Sequence, residues 1–217
     1  MTNLLFYGFI ICMNVDSVSF GAKPINSVKI KKYDKNIKNF VDFPATFVKL
    51  EPNNYFDIKA ADVCASKWKD AKYIQKIATA SHWMESVPLS IYAVTTQKNK
   101  FNKLKPNKIL GFVEMRKDEN RPIYDWLYYL QVKPQAINVN NSESKSYKHV
   151  GKSIIASLKK IYKNISLYSE DNDNIEKFYQ SNGFIQDYTG VKHYVWSSNI
   201  FRMLKVRYES FRLHIGI

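Results

Sequence analysis

From residue 44 onward, short β-branched or aromatic runs alternate with longer stretches whose apolar residues recur at helical spacing. Thr46, Phe47 and Val48 favour pleated backbone, so residues 45–50 predict a strand. Residues 57–67 and 70–84 predict two helices, each opened by an aspartate able to cap the first free amides. LSIYAVTT at 89–96 predicts a strand, and the polar, basic, proline-bearing stretch 98–108 a loop or hairpin tip. ILGFVEM at 109–115 and WLYYLQV at 126–132 predict two more strands, joined by turn chemistry at 117–122. After Pro134 comes a long break rich in Asn and Ser. Residues 150–163 then carry Ile154, Ile155, Leu158, Ile161 and Tyr162 on one face, as a helix requires. A strand at 165–169 precedes a helix at 173–182, with Ile175, Phe178 and Tyr179 on one side. Asp173 and Glu176 have capping-box spacing there. Strands at 184–188 and 193–196 close the run. This order predicts a mixed, mostly antiparallel sheet of six to seven strands with helices on both faces, an α/β or α+β fold.

The two ends follow other rules. Residues 4–13 (LLFYGFIICM) are uncharged and match a signal-peptide apolar region in length. No Lys or Arg precedes them, and Ile11 stands before Cys12 where lipoprotein processing wants a small residue. The expectation is a buried segment docked on the body of a cytoplasmic protein. The alternative is export, with residues 1–22 as a signal peptide. Residues 23–38 hold six lysines and one aspartate with little apolar periodicity, which predicts a solvated basic connector over 23–43. The domain itself spans 44–198. In residues 199–217, Phe201, Leu204, Tyr208, Phe211 and Leu213 or Ile215 recur at helical spacing, with Arg202, Lys205, Arg207 and Arg212 between them. This is a basic amphipathic helix. Docking on the body is expected, with a second subunit or an anionic surface as alternatives.

Charge sharpens the picture. The 217 residues carry 33 Lys+Arg against 19 Asp+Glu, a formal net charge of +14, which calls for an anionic partner: nucleic acid, a membrane surface or a phosphorylated small molecule. Residues 1–40 and 191–217 each contribute a net +4, so the extensions hold more than half of it. Two cysteines, Cys12 and Cys64, exclude a disulfide framework and a four-thiolate zinc site. No apolar run reaches the roughly 18 residues that span a bilayer. His82 and Glu85 are three apart on an expected helix, but no His/Cys cluster accompanies them, and no metal is expected.

The informative stretch is Tyr147-Lys148-His149-Val150-Gly151-Lys152-Ser153, at the start of the 150–163 helix. Gly151-Lys152-Ser153 ends like a nucleotide P-loop, but the glycine required five positions earlier is Ser146, and no apolar strand runs into the loop. Lys148-x-x-Gly151-x-Ser153 fits another device. Small residues let the chain turn tightly into a helix, so successive amides converge on an anion. Downstream come Asn172, Phe178-Tyr179, and Gly183-Phe184. No Gly-x-Ser-x-Gly elbow suggests a serine hydrolase.

Together, WLYYLQV, Lys148-x-x-Gly151-x-Ser153, Asn172 and Phe178-Tyr179-x-x-x-Gly183-Phe184 resemble the GNAT superfamily of acetyl-CoA-dependent N-acetyltransferases, over residues 44–196. Two positions depart from the family pattern: Lys148 replaces the usual Gln or Arg, and Ser153 the usual Gly or Ala. The resemblance implies acetyl transfer to a primary amine by direct attack in a ternary complex. It implies that Leu130, Gln131 and Val132 line the pantetheine arm, with an amide at Leu130 facing the thioester oxygen. It places the pyrophosphate on Lys148, His149, Val150, Gly151, Lys152 and Ser153, gives Asn172 a pantetheine or helix-ordering role, and makes Tyr179 the acid that protonates the leaving thiolate. For the base, Glu114 lies among apolar residues in a strand and Asp125 at a strand mouth. The acceptor is open. An RNA-borne or aminoacyl-RNA amine is one option, given the charge. The alternative is a non-catalytic basic module that binds nucleic acid or a protein partner, and a dimer is compatible with either.

Overall fold

The computed structural model describes residues 21–51, 54–68, 89–117, 122–133, 146–170, 172–187 and 192–214. The expected helix at 70–84, the apolar segment 4–13, His82, Glu85 and most of the Asn/Ser-rich break lie outside these residues. The described strands are β1 (Lys23–Asp34), β2 (Asn39–Lys49), β3 (Leu89–Thr95), β4 (Ile109–Lys117), β5 (Asp125–Val132), β6 (Tyr147–Lys148), β7 (Asn164–Tyr168), β8 (Ile185–Asp187) and β9 (His193–Ser197). The helices are α1 (Tyr55–Lys67), α2 (Val150–Ile161), α3 (Asp173–Ser181) and α4 (Ile200–His214).

All nine described strands join one sheet in the order β6-β1-β2-β3-β4-β5-β7-β9-β8. Among the described residues, β5 and β7 form the parallel pair and every other pairing is antiparallel. Two apolar clusters cover the two faces. On one, Val150, Ile154, Ile155 and Leu158 of α2 and Tyr179 of α3 pack on Phe47, Val94, Val113, Leu127 and Leu167. On the other, Ala60, Ala61 and Cys64 of α1 pack with Trp68 on Val48, Ile91, Ala93 and Phe112. β4 is buried on both faces, from Ile109 to Met115, because helices cover both sides of it.

The sheet has more strands than the sequence pattern predicts, and β1 is the main reason. The expected connector 23–38 forms instead a long strand and hairpin turn: β1 pairs with β2 from Lys23↔Lys49 to Asp34↔Asn39. Its lysines hide a period of two in which Ile30 is buried and Val28 packs behind it. Charged side chains along a strand this close to the sheet edge also discourage pairing with another chain. β2 accordingly begins at Asn39, ahead of the expected start.

The caps differ from expectation in a consistent way. Asn54, not Asp57, caps α1 by accepting from the amides of Phe56 (3.0 Å) and Asp57 (3.2 Å). Asn172, not Asp173, caps α3 through the Asn174 amide (2.9 Å). Glu176 is no capping-box partner: it accepts from the Tyr194 hydroxyl (3.0 Å) and pairs with Lys192 (2.9 Å). In both helices an asparagine upstream of the expected aspartate takes the cap, three residues ahead in α1 and one in α3. Gly183 ends α3 at φ +78°, where a side chain would be strained.

Candidate functional site

The site begins with an irregularity in β5. Met115 of β4 pairs with Leu127 and Glu114 with Tyr129, so Tyr128 is an extra residue, a β-bulge. Just before it, β5 and β7 pair through Asp125↔Ile165 and Trp126↔Ser166, and that pairing ends there. β5 continues to Val132 along β4, while β7 continues along β9. The two parallel strands therefore part at the bulge and leave an opening in the sheet.

Three elements converge on the far end of β5. A Cβ built on Gly151 would stand 3.1 Å from Phe178 Cζ and 3.9 Å from Val132 Cγ1. The start of α2, the middle of α3 and the end of β5 thus meet at Gly151, which is small because they do. His149, in the left-handed region at φ 67°, turns the chain into α2 and supplies no side-chain cap. The first helical bond runs from the Ser153 amide to the His149 carbonyl (2.9 Å). The amides of Val150, Gly151 and Lys152 precede it and have no partner within the helix, and such donors suit an anion.

The other loop residues are committed elsewhere. The Ser153 hydroxyl donates to the Lys29 carbonyl (2.8 Å), so both its polar groups hold α2 to itself and to β1. The Lys148 ammonium sits 3.9 Å over the Phe40 ring. A groove of about 320 Å³ runs along the β1 side of α2, with Lys29, His149, Lys152 and Lys160 among its walls.

Tyr179 is buried next to Phe178 and packs edge-on to Phe184, with ring centroids 5.7 Å apart. Burial raises its phenol pKa above the ordinary value, and the Glu170 carboxylate adds to this. It therefore keeps its proton at any working pH. Asn172 stands seven residues earlier as the α3 cap, which fixes the turn that carries Tyr179.

Glu114 lies on the opposite face, in the strand facing the bulge. It is fully buried. One carboxylate oxygen is bonded to the Arg116 guanidinium, and Oε2 has no hydrogen-bond partner among the described residues. Burial raises its pKa, and Arg116 pulls it back. Arg116 in turn lies 3.7 Å over the Tyr128 ring. Tyr128 packs edge-on to Trp126 (4.9 Å), and Trp126 to Tyr168 (6.0 Å). Asp125 sits where β5 and β7 are still paired, and it is ion-paired to Lys117 (2.6 Å). Gln131 accepts from the Tyr129 hydroxyl (2.6 Å).

The structure thus brings Val132, Gly151 and Phe178 together, with Leu130 and Tyr179 in the same apolar cluster and Glu114 across the sheet. It sets Asp125, Lys148 and the Ser153 side chain apart from them. Sequence reasoning misses the bulge, which leaves no compositional mark. It also misses Arg116, which strand alternation could have found, since residues two apart share a face. Cys64 is a core thiol whose pKa burial pushes up to about 12. Among the described residues no three His, Cys, Asp or Glu gather as a metal site would require.

No family model and no curated protein sequence matches the chain. Solved structures of similar fold include acetyltransferases. AtaTR, solved with AcCoA bound, is 13% identical with a TM-score of 0.49, over 74% of this chain and 97% of that one. A GNAT-family acetyltransferase from Listeria monocytogenes is 12% identical at 0.41, over 70% and 93%. Another, from Streptococcus pneumoniae, is 18% identical at 0.35, over 67% and 90%. The likeness is one of fold.

Proposed function

We propose that this chain is an N-acetyltransferase of the GNAT type, moving acetyl from acetyl-CoA to a primary amine by direct attack in a ternary complex. The observation that carries the reading is the bulge at Tyr128, where β5 leaves β7 and runs on to meet, at Val132, the α2 start whose first amides have no partner within the helix and Phe178, the neighbour of Tyr179. The residues present fit such a cofactor. The space at Gly151 is one that a Cβ would close, and the donors beside it suit a diphosphate.

The amides of Val150, Gly151 and Lys152 would hold the diphosphate, with Lys152 and His149 adding charge nearby. Leu130 and Val132, on the edge of β5 beyond the bulge, would flank the pantetheine arm. When bound, acetyl-CoA would supply the acyl thioester. The Leu130 amide would donate to the oxygen that gains negative charge as the amine attacks. Glu114 would take the proton that the amine must lose, and burial supports this by raising its basicity. Tyr179 would return a proton to the departing sulfur. The Lys117 ion pair of Asp125, and its place where β5 is still paired with β7, favour Glu114 over Asp125.

The test is release of free CoA thiol when the purified chain is given acetyl-CoA with polyamines, lysine peptides or aminoacyl-RNA. Turnover that depends on one of these amines is expected. No thiol release with any class would remove the transferase reading and leave a basic binding module on the same fold.

A further inference from the structure

The C-terminal helix presents its apolar stripe to the outside. α4 packs against β8 and β9 through another face. Ser210 is buried and donates to the Gln186 carbonyl (3.1 Å), and the Ser197 amide contacts Met203 Sδ (3.0 Å). The side chains expected to dock stay in solvent: Phe201 is 78% exposed, Leu204 54%, Tyr208 63% and Phe211 60%. At about 100° per residue these four, with exposed Ile200, fill an arc of about 100° turned well away from Met203 and Ser210. Arg207 borders the arc on one side, and Lys205 and Arg212 on the other. Glu209 is the helix's one acid, so α4 carries a net +3.

We propose that α4 is a membrane-surface helix that docks the protein on an anionic lipid bilayer. Large apolar side chains between two basic rails are what an interfacial helix needs. The stripe enters the acyl boundary while the rails meet lipid phosphates. Charge decides against the occupants from this chain itself. A second copy related by a two-fold axis would bring +3 against +3 with one glutamate per helix to offset it, on chains that are each +14. The chain's own apolar segment, residues 4–13, carries no charge and would leave the rails unpaired. Nucleic acid would pair with the rails and could stack on Phe201, Tyr208 and Phe211, but the aliphatic Ile200 and Leu204 between them suit acyl chains and not base faces.

The test is co-sedimentation of the full chain with phosphatidylcholine vesicles, with and without phosphatidylserine. Two double variants at exposed positions, Leu204→Ser with Phe211→Ser and Arg207→Gln with Arg212→Gln, are run beside it. Circular dichroism checks that each is folded. The wild type should bind the anionic vesicles and not the neutral ones, and high salt should release it. The apolar pair should weaken binding roughly tenfold or more. The charge pair should weaken it about fivefold per residue. Several results would overturn the proposal: no preference for anionic vesicles, equal binding by folded variants, or a wild-type dimer that the apolar pair splits and that ignores vesicles. Binding to RNA in place of vesicles, lost in the charge pair, would do the same.

Discussion

Replacing Asp57 by asparagine removes a carboxyl that the fold holds in an unfavourable place. Asp57 is 1% exposed, its Oδ2 accepts from the Glu51 amide (3.0 Å), and its Oδ1 has no hydrogen-bond partner among the described residues. Burial raises its pKa from 3.8 to about 6, against the pull of the Glu51 and Ala22 backbone amides. A folded pKa above the unfolded one means that the folded state prefers the protonated form. That preference supports the fold fully below about pH 4 and is lost as pH rises through about 6. At about 1.4 kcal/mol per tenfold change in proton affinity, the loss is about 3 kcal/mol by neutral pH. Asparagine keeps an acceptor for the Glu51 amide and has no proton to lose. Urea unfolding of both proteins at steps between acid and neutral pH measures the difference. The wild type should lose about 3 kcal/mol relative to Asp57→Asn across that range. Parallel stability profiles would refute the argument, because the carboxyl would then titrate alike folded and unfolded.

The catalytic assignments lead to two further expectations. Tyr179→Phe should lower kcat by about 10²-fold or more, with little change in KM for acetyl-CoA and an unchanged circular dichroism spectrum, as steady-state kinetics and spectroscopy would register. Glu114→Gln should lower kcat by a similar factor. In the wild type, activity should rise with pH as Glu114 ionises, at a pH above the ordinary carboxylate range because its pKa is raised, and a pH–rate profile of the variant should lack that limb.

Much of the sheet is legible in the sequence because its central strands alternate or run apolar: 109–115 and 126–132 fall within β4 and β5 as expected. β1 is not legible. Its structure comes from pairing with β2, and pairing is a long-range property that six lysines in the 23–38 stretch disguise. In α4 the helix is legible but its orientation is not. The periodic stripe predicts a docking face, yet the contact runs through Met203 and Ser210. The candidate site divides the same way. Gly151 and Tyr179 stand out by residue type and spacing. The Tyr128 bulge, and the commitment of Ser153 to the Lys29 carbonyl, depend on neighbours far away in the chain.

The central claim is that a cofactor diphosphate sits where Gly151 lets α2 approach α3 and β5. Calorimetric titration of acetyl-CoA into the wild type and into a folded Gly151→Val variant tests it directly. A valine Cβ would begin 3.1 Å from Phe178 Cζ, and its methyl groups would fill the space beside the Val150–Lys152 amides. Saturable binding to the wild type, weakened about tenfold or more in the variant, is the predicted result. No binding to the wild type, or equal affinity for the two proteins, would contradict the account.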